Sequence, residues 1–245
     1  MSAPLSSSAI RRGVLLRLAS LSRWTAILAV MALIGVAGYA LNKLAAPRSE
    51  TPAYDPQFGL IGQPAGRPRH PRVGIVAGHW GNDSGAVCED GLTEQAVNLD
   101  IARRVMALLE ARRYRVDLLQ EFDPRLENYV ADALVSIHAD SCDFINDLAT
   151  GFKLARSVAS YTPEAEDRLV GCIREEYGAA TGLGFHESSI TPDMTSYHTF
   201  SEVAAETPAV IIEIGFLYGD RGILTGQADR VAGGVAQGIV CFIGE

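Results

Sequence analysis

Positive charge is scarce over most of this chain: residues 71–245 carry thirteen Lys and Arg against twenty-seven Asp and Glu. So acidic a body repels polyanions, which excludes nucleic acid as a partner. No internal repeat is present, and low-complexity sequence is confined to one linker. A repeat array is therefore excluded. The four cysteines contain no Cys-x-x-Cys pair, which argues against a thiolate metal knot.

The first seventy residues reverse the balance, with eight basic residues against two acidic ones. Within them, residues 24–41 hold no charge at all. As a helix this run extends roughly 27 Å, close to the hydrocarbon thickness of a bilayer. Trp24 and Tyr39 fall near its two ends, where aromatic rings favour the interface. Arg11, Arg12, Arg17 and Arg23 precede it, while Lys43 and Arg48 follow. That bias puts the amino terminus in the cytoplasm and the body outside. A buried core helix is the alternative for a run that is apolar on every face. A cleaved signal peptide ending near Gly38-Tyr39-Ala40 is the closer rival, and it too exports the body. The expected organisation is a basic cytoplasmic leader at 1–23, a transmembrane anchor or uncleaved signal at 24–46, a Pro-rich linker at 47–71 and a folded domain at 72–245. The linker holds Pro47, Pro52, Pro56, Pro64, Pro68 and Pro71 and shows no sustained period, so it reads as a semi-extended tether.

The body alternates strand and helix patterns. Val73–Ala77 is a short apolar run stopped by Gly78, and it reads as a buried strand. Val97, Ile101, Val105, Leu108 and Leu109 recur at helical spacing between Thr93 and Arg113, with Thr93 placed to cap the helix. Strands are expected over Tyr114–Leu119, Ala133–Ile137 and Phe152–Leu154. A helix covers Glu164–Ala180, an almost wholly apolar strand Ala209–Ile214, and a closing helix Ala228–Ile243. The pattern predicts an α/β fold with a mostly parallel central sheet flanked by helices. In such folds the loops at the carboxyl ends of strands gather the active site.

The candidate ligands fall at those ends. His79 follows the first strand, Glu94 opens the first helix, and His138 closes the apolar run Val135-Ser136-Ile137. Two imidazoles and a carboxylate suit Zn²⁺, with a fourth position left for water. Taken singly, each has a plain structural explanation. A histidine at a strand end usually just makes a hydrogen bond, and a glutamate at a helix start complements the dipole. Glu213 is harder to dismiss. It lies inside Pro208-Ala209-Val210-Ile211-Ile212-Glu213-Ile214-Gly215-Phe216, where an ionised carboxylate costs several kcal/mol unless a cation or donor offsets it. A structural salt bridge is one answer; a general base tuned by burial is the other.

Four segments bear a family likeness: Gly78-His79; Leu92-Thr93-Glu94 with Asn98-Leu99; Ser136-Ile137-His138-Ala139-Asp140; and Pro208 through Leu217. In this order they resemble the zinc-dependent N-acetylmuramoyl-L-alanine amidases of bacterial cell-wall turnover, over most of residues 72–243. The resemblance implies Zn²⁺ as cofactor, with His79, Glu94 and His138 as its ligands, Glu213 as catalytic carboxylate and peptidoglycan as substrate. It departs at Val76-Ala77, where the family usually has Asp-Pro, so the first ligand must find its orienting group elsewhere. The arginine-bearing helix usual before the Ser-Ile-His strand is reduced, with Arg125 as its remnant, and Gly151-Phe152-Lys153 stands where a Gly-Phe-Glu-like stretch is usual.

Of the other histidines, His198 is the candidate for contacting substrate or the transition state, with a surface loop role as the alternative. His70 and His186 have no distinguishing neighbourhood. An exported body permits disulfides. Cys88 and Cys142 flank the expected ligand positions and are the preferred pair, while Cys172 and Cys241 read as small core residues. Together with the leader, the expected location is the cell membrane, single-pass, with the catalytic domain extracytoplasmic. Competing functions are another zinc peptidase or amidohydrolase on the same scaffold, and an inactive wall-binding module.

Overall fold

The computed structural model describes residues 70–244. The expected anchor at 24–46, the leader and nearly all of the linker lie outside the described residues. Among the described residues, no helix is long and apolar enough to cross a membrane.

Five strands form one sheet: β1 (Arg72–Ala77), β2 (Arg115–Leu119), β3 (Ala133–Asp140), β4 (Lys153–Arg156) and β5 (Ala209–Phe216). Their order is β2-β1-β3-β5-β4. The pairs β1–β2, β1–β3 and β3–β5 are parallel, and β4 runs antiparallel to β5 at the edge. The central strands β1, β3 and β5 are buried almost throughout, which is why they read as unbroken apolar runs.

Three long helices, α1 (Glu94–Glu110), α2 (Pro163–Thr181) and α6 (Ala228–Gly244), share one core with the sheet. Thr93 caps α1, its Oγ1 accepting the Ala96 N–H at 3.2 Å. The α1 stripe Val97, Ile101, Ala102, Val105 and Leu109 is buried, as are Leu169, Ile173 and Tyr177 of α2. Such side chains contribute about 1.5–3 kcal/mol each on burial. Close contact between α2 and α6 depends on Gly238, since a Cβ there would lie 2.5 Å from the Ile173 Cα. The same approach corrects one expectation. Cys172 and Cys241 are a disulfide, Cα atoms 5.8 Å apart. Periodicity turned each cysteine toward a helix packing face but carried no information that the two faces meet.

Short elements cover the opposite face: α3 (Pro192–Thr195), α4 (Thr199–Glu202) and the single turn Pro124–Leu126. Beneath them lie two small apolar clusters, around Leu134 and around Ile211. A last short helix, α5 (Arg221–Gly226), leads into α6. The parallel strands deliver four loops to one end of the sheet, and these loops build the site.

Candidate active site

His79 follows β1 in a left-handed backbone conformation, φ 66°, unusual for a residue with a side chain. Two carboxylates hold it there. Glu121, just past β2, accepts the His79 backbone N–H at 2.6 Å, and Asp83 meets the ring Nδ1 at 2.6 Å. The other ring nitrogen, Nε2, faces Glu94 Oε1 at 3.2 Å. Gly78 makes room beside it, because a Cβ at that position would sit 2.5 Å from the His138 ring.

Glu94 is buried at the start of α1. Its Oε2 accepts the Ala86 N–H at 3.1 Å; its Oε1 accepts from Asn98 Nδ2 and from the Ala139 N–H, both at 3.2 Å. The same Oε1 meets His138 Nδ1 at 3.2 Å. Burial opposes ionisation of Glu94, but the two imidazoles outweigh it and hold the carboxyl well below the usual carboxylate range. The imidazoles respond in kind. Contact with Glu94 raises the pKa of His79, and His138, despite its burial, is pushed up to about 10 by Glu121 and Glu94.

One donor atom from each of His79, Glu94 and His138 lies within 4.8 Å of the others. Two of the separations, 3.2 Å each, approach the roughly 3.3 Å edge of a tetrahedron with ligand bonds of about 2.0–2.1 Å. The donor set therefore fits a small divalent cation of the zinc type. The remaining ring nitrogens are also matched. His79 Nδ1 has Asp83, while His138 Nε2 has the Tyr197 hydroxyl at 3.1 Å and Glu121 at 3.4 Å. Such partners fix ring orientation and tautomer. With Val76-Ala77 before the Gly78-His79 pair, Asp83 is the side chain that orients the first ligand's ring.

Glu213 lies on β5 directly beside His138, its register partner on β3. Its Oε2 is sealed from solvent and has no hydrogen-bond partner. Burial pushes its pKa up to about 7, with His138 pulling the other way. A carboxylate in that state accepts and returns a proton near neutral pH. The register partner of Glu213 on β4 is Lys153, whose ammonium is bound to Asp140.

Sequence reasoning missed Glu121 and Tyr197. Glu121 is 5% exposed and gathers the Tyr197 hydroxyl at 2.8 Å and His198 Nε2 at 3.0 Å besides its bond to His79. One signal was available: an acidic residue in the loop at the carboxyl end of a parallel strand. His198 reaches the rim of the site with both ring nitrogens engaged, Nε2 by Glu121 and Nδ1 by Glu202 at 2.9 Å. A substrate contact through either would have to displace a carboxylate. His186 is bonded to Ser189 instead, and His70 is exposed at the edge of the described residues. Cys88 and Cys142 are joined, Cα atoms 5.3 Å apart, tying the loop between His79 and Glu94 to the loop after His138.

The sequence pattern of a family described as N-acetylmuramoyl-L-alanine amidase (Amidase_3) matches residues 73–241. The chain is 38% identical over 82 residues to N-acetylmuramoyl-L-alanine amidase AmiC of Neisseria meningitidis serogroup B, a match covering 30% of this chain and 20% of that protein. Its fold is similar to that of AmiC2 of Nostoc punctiforme, with 24% identity and a TM-score of 0.58 over 72% of this chain and 99% of that one. It is also similar to the CwlD amidase of Clostridioides difficile, solved in complex with the GerS lipoprotein. There the identity is 21% and the TM-score 0.57, over 71% and 98% of the two chains.

Proposed function

The chain belongs to the N-acetylmuramoyl-L-alanine amidase family, and from that premise we propose that it hydrolyses the amide bond between N-acetylmuramic acid and L-alanine in peptidoglycan. The observation that carries the reading is Glu213, whose sealed and unpartnered oxygen lies next to the His79–Glu94–His138 cluster. Buried side-chain oxygens are ordinarily partnered, and this one is left bare on the residue that pairs in register with His138.

His79 Nε2, Glu94 and His138 Nδ1 would hold Zn²⁺. Bound there, the cation supplies Lewis acidity, lowering the pKa of water toward neutrality and drawing charge from the scissile carbonyl. Glu213 takes the proton of the attacking water as its oxygen bonds to the lactyl carbonyl carbon. As the carbon–nitrogen bond breaks, the same carboxyl returns that proton to the departing alanine nitrogen. Burial, by raising its pKa, makes it a stronger base for the first transfer. Asp83, Glu121 and Tyr197 hold the imidazoles in the tautomers that leave their ligating nitrogens bare.

The uncharged run at 24–41, with arginines before it, supports a single-pass anchor in the cell membrane and an extracytoplasmic catalytic domain. The Pro-rich stretch 47–71 would then set its reach from the bilayer.

Digestion of purified sacculi by the zinc-loaded full chain tests the reading. The expected products are intact glycan strands and free stem peptides beginning with L-alanine. Cuts within the peptide or the glycan would refute it.

A further inference from the structure

Among the described residues, the buried carboxylate of Glu121 forms ion pairs with histidines alone, His138 and His198. Its Oε2 accepts the His79 backbone N–H at 2.6 Å, and its Oε1 accepts the Tyr197 hydroxyl at 2.8 Å. Burial opposes ionisation, but the His138 and His198 rings and the His79 N–H outweigh it and hold the carboxyl well below the usual carboxylate range. A ring that ligates a metal must offer a bare nitrogen. His138, ligating through Nδ1, would therefore be a neutral ring and bring Glu121 no positive charge of its own. That leaves His198.

His198 adopts helical backbone angles just before α4, φ −54° and ψ −40°, which sets its ring beside Glu202 one turn on. Nδ1 lies 2.9 Å from Glu202 Oε1, and Nε2 lies 3.0 Å from Glu121 Oε1. Phe122 stacks on the ring with centroids 4.3 Å apart, and Tyr197 packs beside it. A neutral imidazole has one donor and one acceptor nitrogen, whereas an ionised carboxylate only accepts. A ring with a carboxylate at each nitrogen must donate from both. Only the imidazolium does so. Partial burial lowers the His198 pKa, and the two carboxylates more than reverse that effect. A surface pair with Glu202 would account for Nδ1, but not for Nε2 turned onto a buried acid.

We infer that His198 is a positioning residue for the zinc centre, held as an imidazolium that serves as the fixed counter-ion of Glu121. Its charge pins Oε1 where the Tyr197 hydroxyl donates to it. The hydroxyl oxygen then faces His138 Nε2 at 3.1 Å as an acceptor, so that nitrogen keeps its proton and Nδ1 is left bare for a metal. The inference rests on the zinc reading for what the network orients, and not for the charge on His198.

Long-range proton–nitrogen NMR of the full chain, with isotope-labelled histidine, reads that charge directly. At about pH 8 an imidazole with the ordinary pKa of about 6.5 is neutral. His198 is expected to show two protonated nitrogens there, with and without zinc, and His198→Gln should remove that signal. A zinc-loaded chain with no doubly protonated ring overturns the proposal with no variant needed, as does such a ring that persists in His198→Gln. Competition against a chelator tests the positioning. His198→Gln, which keeps a donor but no charge, should bind zinc about tenfold more weakly at about pH 7. His198→Arg, a cation with a forked set of donors, should recover most of that loss. The gap between the Gln variant and the unmutated chain should narrow in base, as His198 gives up its proton. Unchanged affinity in the Gln variant, or an Arg variant no better than Gln, overturns the role. A chain with the doubly protonated ring that takes up no zinc fails the amidase reading and leaves the charge assignment standing.

Discussion

Glu121 carries the backbone of His79 on one oxygen and the hydroxyl of Tyr197 on the other. Tyr197 and Glu121 in turn meet the outer nitrogen of His138, so a single carboxylate holds one histidine of the cluster by its backbone and the other by its ring. Glu121→Gln should keep the fold and weaken metal affinity by about 10–100-fold, the usual effect of losing an outer partner of a ligand. Competition against a calibrated chelator measures it. Unchanged affinity would mean that the bonds to Glu121 do not orient the ligands.

Glu213→Gln separates binding of the cation from chemistry. The amide fills the same volume beside His138 but no longer takes a proton at neutral pH. Metal content should be unchanged, and kcat on peptidoglycan should fall by about 10²–10⁴-fold, the range for loss of a positioned base. Turnover at the unmutated rate would remove Glu213 from the mechanism.

Much of this was legible from residue order. The three central strands announced themselves as apolar runs because each is covered on both faces. Thr93 and the 97–109 stripe gave the first helix, and Glu213 stood out as a charge in an apolar strand. What stayed hidden depends on partners far along the chain. Glu121 gains its meaning from His79, Tyr197 and His198, at separations of 42, 76 and 77 residues. The antiparallel course of β4 is set by its neighbour β5, since four residues carry too little periodicity of their own. The disulfide of Cys172 required α2 and α6 to touch, and that contact is governed by glycines, which leave no hydrophobic signal.

The metal-free protein should have an unusual pH profile. His79 and His138 have raised pKa values, so their contribution is complete below the unfolded value of about 6.5 and is lost as pH climbs toward about 10 for His138. Glu94 and Glu121 are depressed, so theirs is present above about 4.3 and disappears in stronger acid. Chelator-treated protein is therefore expected to be most stable between about pH 4.5 and 6.5 and to weaken steadily in base. Zinc reverses the alkaline limb, because the rings must be neutral to ligate and the cation's contribution grows with pH. Urea midpoints across pH, with and without zinc, decide this; parallel curves for the two forms would refute it.

Removing the staple beside the site should be felt in both stability and metal binding. Cys88 and Cys142 are 54 residues apart, and closing such a loop stabilises by up to about 4 kcal/mol in the chain-entropy account. The double variant Cys88→Ala, Cys142→Ala should lose about 2–4 kcal/mol, seen as a lower urea midpoint. Zinc affinity should fall with it, since the two ligand-bearing loops are no longer tied. A midpoint that does not move would show that packing alone holds those loops.

The two bridges join cysteines in simple succession, the first to the second and the third to the fourth. If the chain is exported amino end first, as proposed, Cys88 and Cys142 would enter an oxidising compartment before Cys172 arrives. Oxidation in order of emergence would then yield the native connectivity directly, with no misplaced bond for a disulfide isomerase to undo.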